Sequence, residues 1–197
     1  MLRIIVTLIY LMAANHVLAD WEMVKRASSF SFGTVKNKTV SELHQFTEFR
    51  GLVQNNGAAR FEIDLLSVDT GIKIRDERMR NILFFDSTRA VYRVNMDMQR
   101  ITNIPTGESI ELDLDGSLEL NGSSGEIPLR VRVTNLKSGT FQVEAIAANT
   151  IDVSGFGFVE GIEILRLVAG LKAISLMVTL EFKLVFEPLQ DQHTLPN

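Results

Sequence analysis

The chain contains no cysteine, which removes thiol nucleophiles, thiolate metal sites and disulfide frameworks together. Histidine is nearly as scarce. His16 lies in the leader-like first residues, and His44 and His193 are too far apart for a multi-histidine metal site; a carboxylate-rich site stays open, but no metal is expected. An excess of positive charge is also missing: 20 Lys+Arg stand against 24 Asp+Glu, for a formal net charge of −4. With no basic run interleaved with aromatics, nucleic acid is not an expected partner. Only 4 residues are proline, and a chain that is 46% hydrophobic and 22% charged is neither disordered nor collagen-like. No P-loop, GxGxxG unit, GxSxG elbow or HExxH helix occurs, so no cofactor is expected. Polar aromatics are few, with 2 Tyr and 1 Trp against 12 Phe. Phenylalanine brings apolar bulk without a hydrogen-bonding group. Such an excess suits a filled β core or an apolar cavity, and composition alone leaves both open.

At 197 residues the chain reads as one domain that can bury a full core without staples. Its first residues have the three-part plan of a secretory signal: Arg3, the apolar run Ile4–Ala14, then Val17-Leu18-Ala19 before Asp20. The run, about eleven residues, is short for a permanent anchor through 30 Å of hydrocarbon. Residues 1–19 are therefore expected to be a signal peptide, 20–190 a single domain and 191–197 a C-terminal tail; a buried first strand or helix is the rival reading. No cysteine follows the cleavage point, which argues against a lipoprotein. A second apolar stretch, Ile162–Met177, is interrupted by Arg166 and Lys172 and preceded by Glu160 and Glu163. Charges at mid-span are costly, so this stretch is expected to be buried protein.

Alternation with period two dominates the remainder. Phe30 and Phe32 alternate with serines, and Phe61, Ile63 and Leu65 with Glu62 and Asp64. Leu112 and Leu114 alternate with Asp113 and Asp115, and the pattern continues past Gly116 to Leu118 and Leu120. Leu129, Val131 and Val133 alternate with arginines, Phe141, Val143 and Ala145 follow, and Val178–Phe186 closes the series. Strands with one wet and one dry face produce this pattern, and antiparallel sheets supply them. Turn signals at Asn55-Asn56-Gly57, Asn121–Gly125 and Lys137-Ser138-Gly139 separate the runs. Seven or more such strands predict an all-β sandwich or barrel, and periodicity does not choose between them. Ile74–Leu83 breaks the pattern with spacings of four and a charged outer face, predicting a short helix at one rim. A weaker helical rhythm covers Gly161–Leu171, with Ile164, Leu167, Val168 and Leu171 as its dry stripe.

Ser67-Val68-Asp69-Thr70-Gly71, then Arg75-Asp76, Met79-Arg80 and Phe84-Phe85-Asp86, together resemble the motif of the YceI-like family of bacterial periplasmic proteins. Phe46–Gly51 resembles the family's F-x-x-F-x-G strand, and Ile151–Gly157 its strand entering a D-[FY]-G turn. The likeness runs from about Trp21 to Phe186 and is most specific between Ser67 and Asp86. It implies an extended lipocalin-like antiparallel β-barrel of about eight strands, located in the periplasm or secreted, whose pore holds an isoprenoid or other amphiphilic lipid. Arg78 stands where the family helix usually has histidine, Leu83 replaces the first Asp of its D-F-F-D, and Ser28-Ser29 replaces an early His-Ser pair.

If the barrel holds such a ligand, its expected contacts are Phe32, Phe46, Phe49, Phe61, Ile63, Phe141, Val143, Leu180 and Phe182, with Arg78 at the mouth for a carboxylate, phosphate or quinone oxygen. Phe46 and Phe49 are an odd number apart, so either a bulge lies between them or one faces outward. Asp69 is expected to cap the rim helix, and Asp76 to tie it to the strand below. Transient membrane contact and a homodimer are further possible partnerships. Two other functions compete: an isomerase or hydrolase using groups such as His44, Glu62, Asp64 or Glu144, and a solid β scaffold for protein binding.

Overall fold

The computed structural model describes residues 21–137, 139–146 and 149–189; the expected signal segment 1–19 and tail 191–197 lie outside the described residues. Twelve strands join one sheet: β1 (Trp21–Met23), β2 (Ser29–Lys36), β3 (Val40–Phe46), β4 (Phe49–Val53), β5 (Ala58–Asp64), β6 (Val68–Asp69), β7 (Arg89–Asn95), β8 (Ser109–Leu120), β9 (Ser123–Lys137), β10 (Thr140–Ala145), β11 (Asn149–Asp152) and β12 (Met177–Pro188). Four pairs of these act as single broken staves. β1 and β2 both pair with β12, β3 and β4 follow them, β5 and β6 follow those, and β10 and β11 both pair with the other side of β12. The result is an eight-stave antiparallel barrel, closed where Met23 meets Phe186 and Phe30 meets Phe182. Closure removes the exposed edges that an open sheet would carry.

Local chemistry explains the breaks and turns. Between β1 and β2 a single helical turn, Lys25–Ala27, displaces the chain, and the Ser28 hydroxyl repairs the ladder. It donates to the Val24 carbonyl (2.8 Å) and accepts from the Val185 amide (2.9 Å). Between β3 and β4 the chain bends at Thr47-Glu48, whose amides donate to Ser67. That bend accounts for the odd spacing of Phe46 and Phe49. The β8–β9 hairpin turns on Asn121 (φ 51°) and Gly122 (φ 72°) alone. Both are left-handed, as the tight I′ turn of a twisted hairpin requires. The wider Asn121–Gly125 linker read from the sequence is thus two residues of turn and a strand that resumes at Ser123.

Three helices accompany the barrel: α1 (Lys73–Ile82), α2 (Met98–Thr102) and α3 (Val159–Val168). α1 falls one residue from its expected place. The expected cap does not form: Ile72 is the N-cap, and Asp69 instead accepts from the Gly71 amide and from Gln45. Asp76 ties the helix to the turn before it rather than to a strand, accepting from the Thr70 amide (2.9 Å) and hydroxyl. α2 had no clear sequence signal; it packs Met98 and Ile101 into one end of the barrel. α3 corrects two expectations. No residue of this helix is buried, and the side that packs against the core carries Ile162 and Leu165, while Ile164, Leu167 and Val168 stay exposed. Apolar residues stand on either side of the stripe Glu160, Glu163 and Arg166, so the period alone does not reveal which of them turns inward.

Candidate functional site

Eight staves make a barrel just wide enough for side chains or one slender ligand. The phase of the strands fills this one with apolar groups. β12 turns Val178, Leu180, Phe182, Leu184 and Phe186 inward, and β9 turns in Ile127, Leu129, Val131 and Val133. Space remains between them: a cavity of about 480 Å³, within the range of ordinary ligand sites. One side is a sheet of phenyl rings. Phe30 stacks on Phe182 (centroids 6.1 Å) and meets Phe61 (5.4 Å); Phe32 stacks on Phe46 (4.8 Å), and Phe46 meets Phe84. The opposite side is aliphatic. At the α2 end, buried Met98, Ile101 and Ile104 close the floor, and the Trp21 indole donates to the Gly139 carbonyl.

At the α1–α3 end the lining becomes polar and half-buried. The inward residues of β2 read Phe30, Phe32, Thr34, Lys36, and those of β3 read Phe46, His44, Glu42. Arg75 of α1 reaches over them. Its Nη1 donates to Glu42 Oε2 (2.7 Å), its Nη2 to the Thr70 carbonyl (2.8 Å), and Lys36 Nζ lies 2.7 Å from Glu42 Oε1. Burial alone would raise the Glu42 carboxyl. The Lys36 hydrogen bond and the Arg75 and Lys36 charges outweigh it and hold the group below the usual carboxylate range. His44 is buried edge-on to Phe32 (5.3 Å) and 3.2 Å from the Thr34 hydroxyl. Burial, then the Arg75 charge, push its imidazole below the usual histidine value against the opposing pull of Glu42. Two buried nitrogens here have no partner, His44 Nδ1 and Arg75 Nε. Buried polar groups are normally satisfied.

Among the sequence-nominated residues, Phe32, Phe46, Phe61, Ile63, Phe141, Val143, Leu180 and Phe182 face the cavity, and Arg78 lines its mouth. Phe49 is outside the lining and packs against Phe30 and Phe61. The sequence reading missed Thr34, Lys36, Glu42 and Arg75 as a cluster, although the first three continue the period-two phase of Phe32 and Phe46. The most specific motif residues turn out to hold the helix and the turns beside it in place. Arg80 donates to the Leu66 and Val68 carbonyls, Ser67 receives Glu48, and Thr70 meets Asp76. No group of metal-ligating side chains occurs among the described residues.

A closed barrel that is dry along its length and polar at one mouth has the build of the extended lipocalin-like proteins. The chain belongs to the YceI-like domain family, whose pattern matches residues 21–186. It is similar in structure to a polyisoprenoid binding domain from Saccharophagus degradans implicated in plant cell wall breakdown, with 30% identity over 86% of this chain and 98% of that one and a TM-score of 0.82. Burkholderia cenocepacia BcnA shares the fold at 19% identity, covering 83% of this chain and 98% of its own, with a TM-score of 0.63. The Campylobacter jejuni YCEI protein does so at 13% identity, covering 75% and 85%, with a TM-score of 0.51. No curated protein matches the chain.

Proposed function

We propose that this protein binds a long-chain amphiphile, a polyisoprenoid or a prenylated quinone, for storage, transport or sequestration outside the cytoplasm. The tail lies along the pore, and an oxygen-bearing head meets the Lys36–Glu42–His44–Arg75 cluster. The observation that carries this reading is the grading of a single wall from Phe30 and Phe32 to Thr34 and Lys36, which matches a molecule apolar at one end and polar at the other. A similar structure at 30% identity is described as a polyisoprenoid binding domain, and the secretory plan of residues 1–19 supports the location. Burying ten methylene equivalents is worth about 8 kcal/mol before the costs of association, so no catalytic group is required. The head would give Arg75 Nε the acceptor it lacks.

The competing readings have less behind them. Of His44, Glu62, Asp64 and Glu144, only His44 lines the cavity; Glu62 is held by Arg50 and Arg60. A solid scaffold would leave no 480 Å³ of space. Native mass spectrometry of the protein purified from its own compartment, followed by solvent extraction, tests the proposal. A bound prenyl chain is expected, and Val131→Phe, which places a ring in the pore, should prevent its retention. Protein that arrives empty and takes up no prenol after delipidation would overturn the reading.

A further inference from the structure

Four pieces of chain ring the mouth of the pore and are tied into a closed collar. Arg75 joins the start of α1 to β3 through Glu42. The β2–β3 hairpin is joined to the segment after α3, because the Asn37 amide donates to the Ala173 carbonyl (2.9 Å) and Asn37 Oδ1 accepts from the Lys172 amide (2.8 Å). α3 returns to α1 at Gly161, where even a methyl group would meet Leu83 at 2.8 Å. On the outer side of this collar large apolar residues stand uncovered: Ile72 and Ile74 at α1, Val40 on the hairpin, and Ile164, Leu167 and Val168 on α3, with Leu167 62% and Ile74 53% exposed. α3 is therefore apolar on both its pore-facing and its outer side. Lys38, Lys73 and Lys172, on the hairpin, α1 and the segment after α3, are exposed and enter no ion pair among the described residues. The acids nearby are partly committed: Glu42 to Lys36 and Arg75, and Glu163 to Arg166, while Glu77 and Glu160 remain exposed.

We infer that this collar is a docking surface for a lipid bilayer bearing anionic headgroups, against which the pore mouth is pressed while cargo passes. Apolar side chains flanked by lysines are the pattern of surfaces that lie in a membrane interface, where the lysine stems run along the apolar layer and the ammonium groups meet phosphates. Charge complementarity favours a bilayer over a second copy of the chain. A two-fold contact lays this patch on its own copy, where Glu77 and Glu160 are the uncommitted acids against Lys38, Lys73 and Lys172, whereas an anionic surface neutralises all three lysines. The passage of cargo rests on the lipid-binding reading above; the docking surface is measured apart from it. A tail moving between pore and bilayer through such a contact never meets water.

The experiment is flotation of the intact protein with vesicles of phosphatidylcholine alone and of phosphatidylcholine with phosphatidylglycerol in a three-to-one ratio. Binding is expected to the mixed vesicles and to weaken with salt. The Lys38→Glu, Lys73→Glu and Lys172→Glu changes should each weaken it at least fivefold or so, the effect of one cation at such a surface. The pair Leu167→Glu and Val168→Glu should reduce it on the order of tenfold or more, the effect of losing two aliphatic side chains buried in the bilayer. Both sets lie outside the pore, so prenol uptake from detergent micelles, read by native mass spectrometry, should be unchanged and shows that the variants are folded. Vesicle binding that is absent, or equal in parent and variants while micellar uptake proceeds, would overturn the docking surface and leave the lipid-binding reading in place. Collar-dependent vesicle binding without prenol uptake would uphold the surface while the pore reading fails. A dimer dispersed by the Leu167→Glu and Val168→Glu pair, without vesicle binding, would assign the collar to a second copy instead.

Discussion

Inside the barrel, Tyr92 lies across the position where residue 116 has no side chain. A Cβ at Gly116 would stand 2.2 Å from Tyr92 Cζ and 2.8 Å from the Arg93 carbonyl. The Tyr92 hydroxyl donates to the Ile127 carbonyl (2.9 Å), and burial pushes the phenol up to about 12, so it remains a donor at any ordinary pH. Gly116→Ala should therefore cost about 1–3 kcal/mol, the usual range for forcing a methyl into a packed site. The urea midpoint should fall with an unchanged slope, and an unmoved midpoint would show that Tyr92 adapts freely. His44 gives a second expectation at this scale. Its folded value lies below the 6.5 of an unperturbed imidazole, so the unfolded chain takes up the proton first. Stability is then complete above about pH 6.5 and is lost as pH falls through the folded value. Urea titrations from pH 8 to 5 should show this loss in the parent and a flatter profile in His44→Gln; parallel profiles would assign the slope elsewhere. The phenyl wall was legible in the sequence because Phe30 and Phe32 alternate with serines. Thr34, Lys36 and Glu42 occupy the same inward phase, but polar residues at a strand end resemble a wet face until the barrel curves around them.

α1 has no side-chain cap at Ile72. Its first turn is held by Asp76, which is buried and accepts from both the amide and the hydroxyl of Thr70. Removing that carboxylate leaves the Thr70 amide without this acceptor, at a cost of about 1–3 kcal/mol for a buried hydrogen-bonding group. Asp76→Ala should speed amide exchange in α1 while the β8–β9 hairpin keeps its protection, since segments open as separate units. Uniformly faster exchange would mean that α1 is part of the global fold. Because Arg75 immediately precedes Asp76, the same change should loosen the polar mouth. Elements differed in how far they could be read. The β8–β9 hairpin announced itself through Asn121-Gly122, and α1 through its spacing of four. α2, only five residues long, is too short to establish a period. The apolar run of α3 disclosed a helix but not its inward face, because burial against a barrel rim depends on where the rim lies.

Periodicity left closure of the whole barrel open, since alternating strands serve a sandwich as well; the likeness centred on Ser67–Asp86 implied it, and pairings such as Trp21 with Pro188, which lie 167 positions apart, show it. Closure also leaves an apolar cavity of about 480 Å³ with lining that lacks contacts on one side, which makes an empty barrel less stable than a filled one. Ligand bound only by the folded form adds about 2.7 kcal/mol at a free concentration one hundred times its Kd. For a domain of this size that corresponds to a rise in Tm of about 5–10 °C. Delipidated protein should therefore melt lower by that margin and recover it when a prenol is supplied. Val131→Phe separates cavity filling from ligand binding. Val131 is fully buried and faces the pore, so a ring there occupies ligand space. The variant should melt at or above the delipidated parent and gain nothing from added prenol. If it responds to prenol as the parent does, the ligand lies elsewhere than along the Val131 wall.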